Sequence, residues 1–229
     1  MPGRLARATP LAEQSAGIGI WDTDLATDLC RATPTFFQLM GLPPSDEPFP
    51  NDRVRAIRHP EDAPKVVDGF RQALAEGRDL YEVEYRIVRP SDGQQRWIFG
   101  RGRVIRDAAG KPVRYSGVDI DITERKRAEE RLRESEERFS KAFNATAHPM
   151  SIITLREGCY VDMNQAGLAA SGLAREQVIG RTVRDLGFYN DPVTAGIIRD
   201  RLTSEGRFSD LETTLRGRRG PRTYPAIFG

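Results

Sequence analysis

Cysteine and histidine are scarce in this chain, two of each in 229 residues: Cys30, Cys159, His59 and His148. None of them share the short spacing of metal ligands, and there is no CxxC pair, so neither a zinc site nor a disulfide framework organises the fold. Long hydrophobic runs are missing too. No stretch approaches the roughly 18 uninterrupted apolar residues that span a bilayer, and the start MPGRLARATPLAEQ has arginines but no apolar segment of a secretion signal. The residues are therefore expected in the cytosol, with no membrane span. Nor is one sign of charge in excess. Lysine and arginine number 35 against 33 acids, which gives no general attraction for nucleic acid. The arginines of LRGRRGPR, Arg216, Arg218, Arg219 and Arg222, read as part of a glycine- and proline-built hairpin turn in preference to a phosphate-binding surface. The sequence also lacks a phosphate loop, a nucleotide-binding glycine box, a nucleophile elbow and paired catalytic carboxylates, so no enzymatic chemistry is expected within it.

What the chain does have is a repetition. Ala16 and Gly41 recur as Ala147 and Gly172, in each case 131 residues later, and SAGIGIW and FFQLMGL are echoed by TAHPMSI and GLAASGL. A spacing of domain size means tandem copies of one fold, not a solenoid. In the first copy GIGIWDTD and DLCRAT read as two short strands. TPTFFQLMGLP reads as a helix capped by Thr33 and stopped by Gly41 and Pro43, and a proline-rich loop follows. PEDAPKVVDGFRQALAEG places Val66, Phe70 and Leu74 four residues apart, as an amphipathic helix does. Three strands follow, DLYEVEYRIVRP, QRWIFGRGRVIRD and KPVRYSGVDIDIT, separated by the turns PSDG and DAAG. This order predicts an α+β fold in which an antiparallel sheet carries helices on one face. The second copy repeats the opening with PMSIITL, CYVDM and a helix capped by Asn164. Between the copies, residues 122–148 contain neither glycine nor proline and predict one continuous charged helix.

Residues 96–126, RWIFGRGRVIRDAAGKPVRYSGVDIDITERK, together with HPED at 59–62 and GCYVDMNQAGLAASGL in the second copy, resemble the PAS fold with its C-terminal PAC motif. The resemblance implies two modules, each a five-stranded antiparallel sheet whose last strand lies between the first and fourth. It places a PAS domain at residues 1–123, a helical linker at 124–141 and a second PAS domain at 142–229. The second copy ends within its expected fourth strand, so its last strand is expected to be missing, as in a piece of a longer protein, or to come from a partner. The resemblance also implies a sensory region that controls a C-terminal output domain, a histidine kinase or a diguanylate cyclase. In that reading Asp121 and Thr123, from the Asp-Ile-Thr signature, couple sheet to helix, whereas ordinary helix capping explains the same two residues without signalling.

Haem is disfavoured because the helix at 60–77 has no histidine, and a covalently reactive flavin because Cys30 and Cys159 both fall in second strands. A small-molecule cavity between sheet and helices would be lined by some of Trp21, Phe36, Phe37, Phe70, Trp97 and Phe99, although such aromatics commonly just fill a core. Along the charged helix, Ala128, Leu132, Ser135, Phe139 and Ala142 alternate spacings of four and three and define a narrow seam suited to a parallel dimer. Two readings remain open from the residues. One is a sensor that changes helix geometry on receiving a signal; the other is a ligand-free dimerisation scaffold.

Overall fold

A computed structural model describes residues 17–187, 192–206, 208–217 and 220–228. The chain divides into two compact units between Arg131 and Leu132. The break lies inside a single helix, so each unit is described by itself.

In the first unit β1 (Ile18–Asp24) turns back into β2 (Leu29–Ala32). The turn is held by Asp24, whose Oδ1 accepts the Ala26 and Thr27 N–H groups at 2.9 Å each, and by Asp28 in a left-handed conformation. Short polar residues tolerate that conformation because the side chain can bond its own backbone. Helix α1 (Pro34–Met40) follows and ends on Gly41 at φ 66°. Thr33 precedes this helix but does not cap it, as its hydroxyl accepts the Ile20 N–H at 3.1 Å instead. The proline-rich loop holds two elements too short for periodicity to reveal, β3 (Phe49–Pro50) and α2 (Asp52–Arg55). Helix α3 (Ala63–Ala75) then leads to β4 (Leu80–Val88), β5 (Gln95–Arg106) and β6 (Pro112–Asp121).

The sheet order is β3-β2-β1-β6-β5-β4, and every pairing is antiparallel. The last strand thus lies between the first and its own predecessor, as expected. The sheet has six strands rather than five because β3 adds a two-residue edge. Strand alternation sends one set of side chains toward the helices. On that face Cys30, Tyr85, Ile87 and Ile98 pack with Phe36, Phe37, Met40 and Val66. Gly102 and Gly117 are directly opposed there. A Cβ on Gly102 would lie 2.6 Å from Tyr115 and 2.8 Å from Trp21, so two glycines make room for two large rings in mid-sheet.

Helix α4 (Thr123–Ala145) begins two residues after β6. In the second unit β7 (Ser151–Ile153) pairs with β8 (Tyr160–Met163). Helices α5 (Gln165–Ser171), α6 (Arg175–Val178), α7 (Val183–Leu186) and α8 (Pro192–Glu205) follow, then a hairpin of β9 (Phe208–Gly217) and β10 (Gly220–Phe228). Among the described residues the two hairpins stay separate, and no strand joins them as β6 joins β1 to β5. Cys159 falls just before β8, and Arg218 and Arg219 lie outside the described residues. Among the described residues, Tyr160, Met163 and Val178 form a buried cluster here with partly buried neighbours including Leu168 and Leu173.

Candidate functional site: a cavity and a helix junction in the first unit

Between the sheet and helices α2 and α3 lies a cavity of about 630 Å³. Three of the six aromatics singled out in the sequence line it: Trp21, Phe36 and Phe70. The other three do not. Trp97 and Phe99 alternate with the buried Ile98 and Gly100, so the pleat turns them to the opposite face of β5. Phe37 packs instead against Phe49, with ring centroids 5.1 Å apart. Tyrosines take the vacant places. Tyr115 meets Phe70 at 4.4 Å and Trp21 at 4.7 Å, and Tyr81 and Tyr85 complete the wall.

The chemistry of the cavity centres on Asp119, which sequence reasoning passed over. It occupies an inward position on β6, the central strand, and is only 4% exposed. Burial disfavours its charge and pushes its pKa from 3.8 up to about 7, against the weaker pull of Trp21, Arg58 and Tyr85 toward the ionised form. The same burial drives the Tyr85 and Tyr115 hydroxyls well above their ordinary value, and raises the Cys30 thiol. Two donors here are unpaired. Trp21 Nε1 lies near enough to Asp119 to favour its charge, but no acceptor stands in hydrogen-bonding geometry to it. Arg58 Nε is likewise buried without a partner, its guanidinium stacked 5.7 Å from the Tyr85 ring centroid. The signal that could have revealed Asp119 is the period of two along KPVRYSGVDIDIT, which sets it in line with Tyr115 and Gly117.

Two residues beyond Asp119 on the same strand stands Asp121, and there the helix begins. Asp121 Oδ1 accepts the Thr123 N–H at 2.8 Å, and Arg96 binds its other oxygen at 3.2 Å. Asp121 is therefore the cap. Thr123 is not: its buried hydroxyl accepts the Trp97 N–H at 2.9 Å and so ties the helix to β5. A second tie reaches β4, where Glu84 receives Arg125 and Lys126 at 2.6 Å each. Those two cations hold the Glu84 carboxyl below its usual range, Lys126 most strongly, and Lys126 also lies 5.3 Å from the Trp97 ring centroid.

Helix α3 is anchored near the cavity by a different pair. Asp62 takes the Arg86 backbone N–H and its guanidinium at 2.8 Å, which lowers the Asp62 pKa to about 2. His59 does not line the cavity; its N–H is bonded to Arg86 O at 2.9 Å, and it introduces this helix.

The seam residues Ala128, Leu132, Ser135, Phe139 and Ala142 are all exposed, Leu132 by 61% and Phe139 by 52%. At the end of α4 the chain is held by a residue the sequence offered only as a cap. Asn164, fully buried, donates to Phe143 O and His148 O at 2.9 Å each. Its Oδ1 accepts the Met150 N–H at 2.9 Å and the Gly167 N–H at 2.8 Å, so every bond an amide side chain can make is made.

Among the described residues there is no group of three or more candidate metal ligands, and no helix is long and apolar enough to cross a membrane. Comparison with known proteins agrees with the architecture. Family models described as PAS fold match residues 30–119 and 137–225. Sensor protein FixL of Bradyrhizobium diazoefficiens is 28% identical over 212 residues, 91% of this chain and 41% of the relative. A blue-light-activated histidine kinase of Brucella anthropi is 32% identical over 114 residues, 50% of this chain and 22% of the relative. The chain thus spans less than half the length of these relatives. A crystal structure of a sensory box histidine kinase/response regulator from Burkholderia thailandensis, 34% identical, aligns with 57% of this chain and 96% of its own at a TM-score of 0.49. With the sheet order, the helix leaving the last strand and both matches in view, the chain belongs to the PAS fold family, of which it carries two copies in tandem.

Proposed function

We propose that this chain is the cytosolic sensory and relay region of a signalling protein whose output is a histidine kinase or a diguanylate cyclase. The relatives support that range of outputs, as one matched protein is named a blue-light-activated histidine kinase and another, from Escherichia coli, is named "Probable diguanylate cyclase DgcE". One observation carries the reading: Asp119 faces the cavity and Asp121, next but one on the same strand, caps the outgoing helix. Any shift of β6 that follows a change in the cavity moves the cap with it. Thr123 and Glu84 pass the shift to the first turn through β5 and β4, and an element held at several points changes position as a unit. The exposed seam of Leu132 and Phe139 supports a parallel dimer in which such a change alters how two helices meet.

Thr123→Val in the full-length protein tests the relay. The substitution keeps the shape of the side chain and removes the acceptor for the Trp97 N–H. Basal autophosphorylation or cyclic dinucleotide formation should shift severalfold while the first unit still melts cooperatively. Output indistinguishable from wild type would rule out this junction as the relay and leave the dimerisation scaffold as the better reading.

A further inference from the structure

Trp97 points away from the cavity, and what surrounds its ring on that face of β5 ties two helices together. One neighbour is Arg86, its cross-strand partner on β4, whose guanidinium carbon lies 5.5 Å from the ring centroid. Arg86 is itself held by the two residues that lead into α3. Asp62 accepts from its Nε and from one terminal nitrogen at 2.8 Å each, and Glu61 accepts from the same terminal nitrogen at 2.8 Å. The other neighbour is Lys126, from the first turn of α4, with Nζ 5.3 Å from the centroid and 2.6 Å from Glu84 on β4. Each cation is thus fixed by carboxylates and presented to one ring, whose negative face attracts both. The two-point pairing of Arg86 with Asp62 holds its geometry better than a single contact does. Helix α3 supplies Val66, Phe70 and Leu74 to the cavity wall. The series therefore runs from that wall to the outgoing helix without passing through β6, Asp119 or Asp121.

We propose that Trp97 is a positioning residue that couples α3 to α4 through Arg86 and Lys126, a second route beside the one along β6. A displacement of α3 carries the Asp62–Arg86 pair with it and changes how the guanidinium meets the ring. That in turn changes how firmly Lys126 and the first turn of α4 are held. Trp97 also makes two backbone bonds to the junction: its N–H donates to Thr123 Oγ1 and its carbonyl accepts the Ile122 N–H, each at 2.9 Å. Any residue but proline at this position could make those two. What is particular to tryptophan is the ring, the side chain with the strongest attraction for cations. This inference deepens the relay reading by adding a second input to the same helix, but the coupling is measured on this chain alone. An output that ignores Thr123→Val would remove the relay at that junction and leave the coupling standing.

Hydrogen exchange of the α4 amides from Lys126 to Glu130 provides the test, read against the amides of β5 as the measure of global opening. Asp62→Asn loosens the pairing with Arg86 and should speed exchange in that turn by at least about five-fold beyond the change in β5. Trp97→Leu should speed it by itself. Adding Asp62→Asn to Trp97→Leu should then change the rate by less than about two-fold, because the ring that carried the effect is gone. Trp97→Phe keeps an aromatic face and should restore part of the response. Lys126→Met interrupts the same series at its other end and should abolish the response to Asp62→Asn in the same way. It decides the matter where Trp97→Leu does not melt cooperatively. Exchange in α4 that ignores Asp62→Asn, or an Asp62→Asn effect of equal size with and without the ring, would overturn the proposal and leave Trp97 as packing on the face of the sheet opposite the cavity.

Discussion

Thr33 and Asn164 occupy equivalent places, 131 residues apart, each just before the first short helix of its unit. They do different work. Thr33 makes one side-chain bond, to the neighbouring strand. Asn164 makes four and gathers the end of the long helix, the start of β7 and the first turn of α5 onto one buried side chain. The first unit leaves two N–H donors, Trp21 Nε1 and Arg58 Nε, unpaired beside a cavity, and the second spends its buried amide on closing a junction. One fold thus appears in two forms: an interior with a cavity, and a socket that holds the end of the long helix.

The largest effect should come from breaking the socket. Asn164→Ala leaves two carbonyls and two N–H groups unsatisfied, and should destabilise the second unit by about 3 kcal/mol or more. Thr33→Ala should cost the first unit about 1 kcal/mol, the usual net worth of one such bond. Denaturant unfolding followed by amide exchange resolves the two units, and equal losses at the two sites would erase the distinction between them.

The cavity gives a comparison of opposite sign. Asp119 titrates near 7 in the fold and near 3.8 when unfolded, so over that interval the folded protein holds a proton that the unfolded chain has released. The proton favours the fold: its contribution is whole below about pH 4 and lost as the pH rises to about 7. Asp119→Asn should therefore stabilise the first unit at pH 8, by up to about 4 kcal/mol, and the gain should vanish toward pH 4.

Asp62 supplies the contrary slope within the first unit. Its pKa is depressed to about 2 by Arg86, so the stabilisation is present above about pH 4 and lost as the pH falls through 2. Asp62→Ala should destabilise the first unit by about 2 kcal/mol at pH 7, a figure consistent with side chains only 14% and 22% exposed. Urea midpoints of wild type and variant should converge as the pH approaches 2.

The repeat, the three long strands and the glycine stop at Gly41 were legible in the sequence because each depends on local periodicity or on a backbone conformation that few residues adopt. The cavity wall was legible only in part. Choosing Trp97 and Phe99 for their ring type ignored the alternation that turns them away from Ile98, while the same alternation, applied to β6, would have found Asp119. Asn164 was visible as a cap, but its bonds to Phe143 and His148 reach back 21 and 16 residues, and nothing short of the fold brings those carbonyls together. The short β3 and α2 fall below the length at which any period can be counted.

The smallest effect on stability should fall on the helix between the units, where the two regions differ least. Leu132 and Phe139 are more than half exposed. Replacing them with lysine in one variant removes little buried surface from either unit, and both melting transitions should stay within about 0.5 kcal/mol of wild type. The seam, however, would lose its two largest apolar side chains, and lysines placed face to face across a parallel pair repel. If the proposed seam pairs two copies, analytical ultracentrifugation should show a dimer for the wild-type chain and a monomer for the variant at the same concentration. A dimer that persists would place the contact between copies on the sheets instead of the helix, and would leave the exposed Leu132 and Phe139 without a role in assembly.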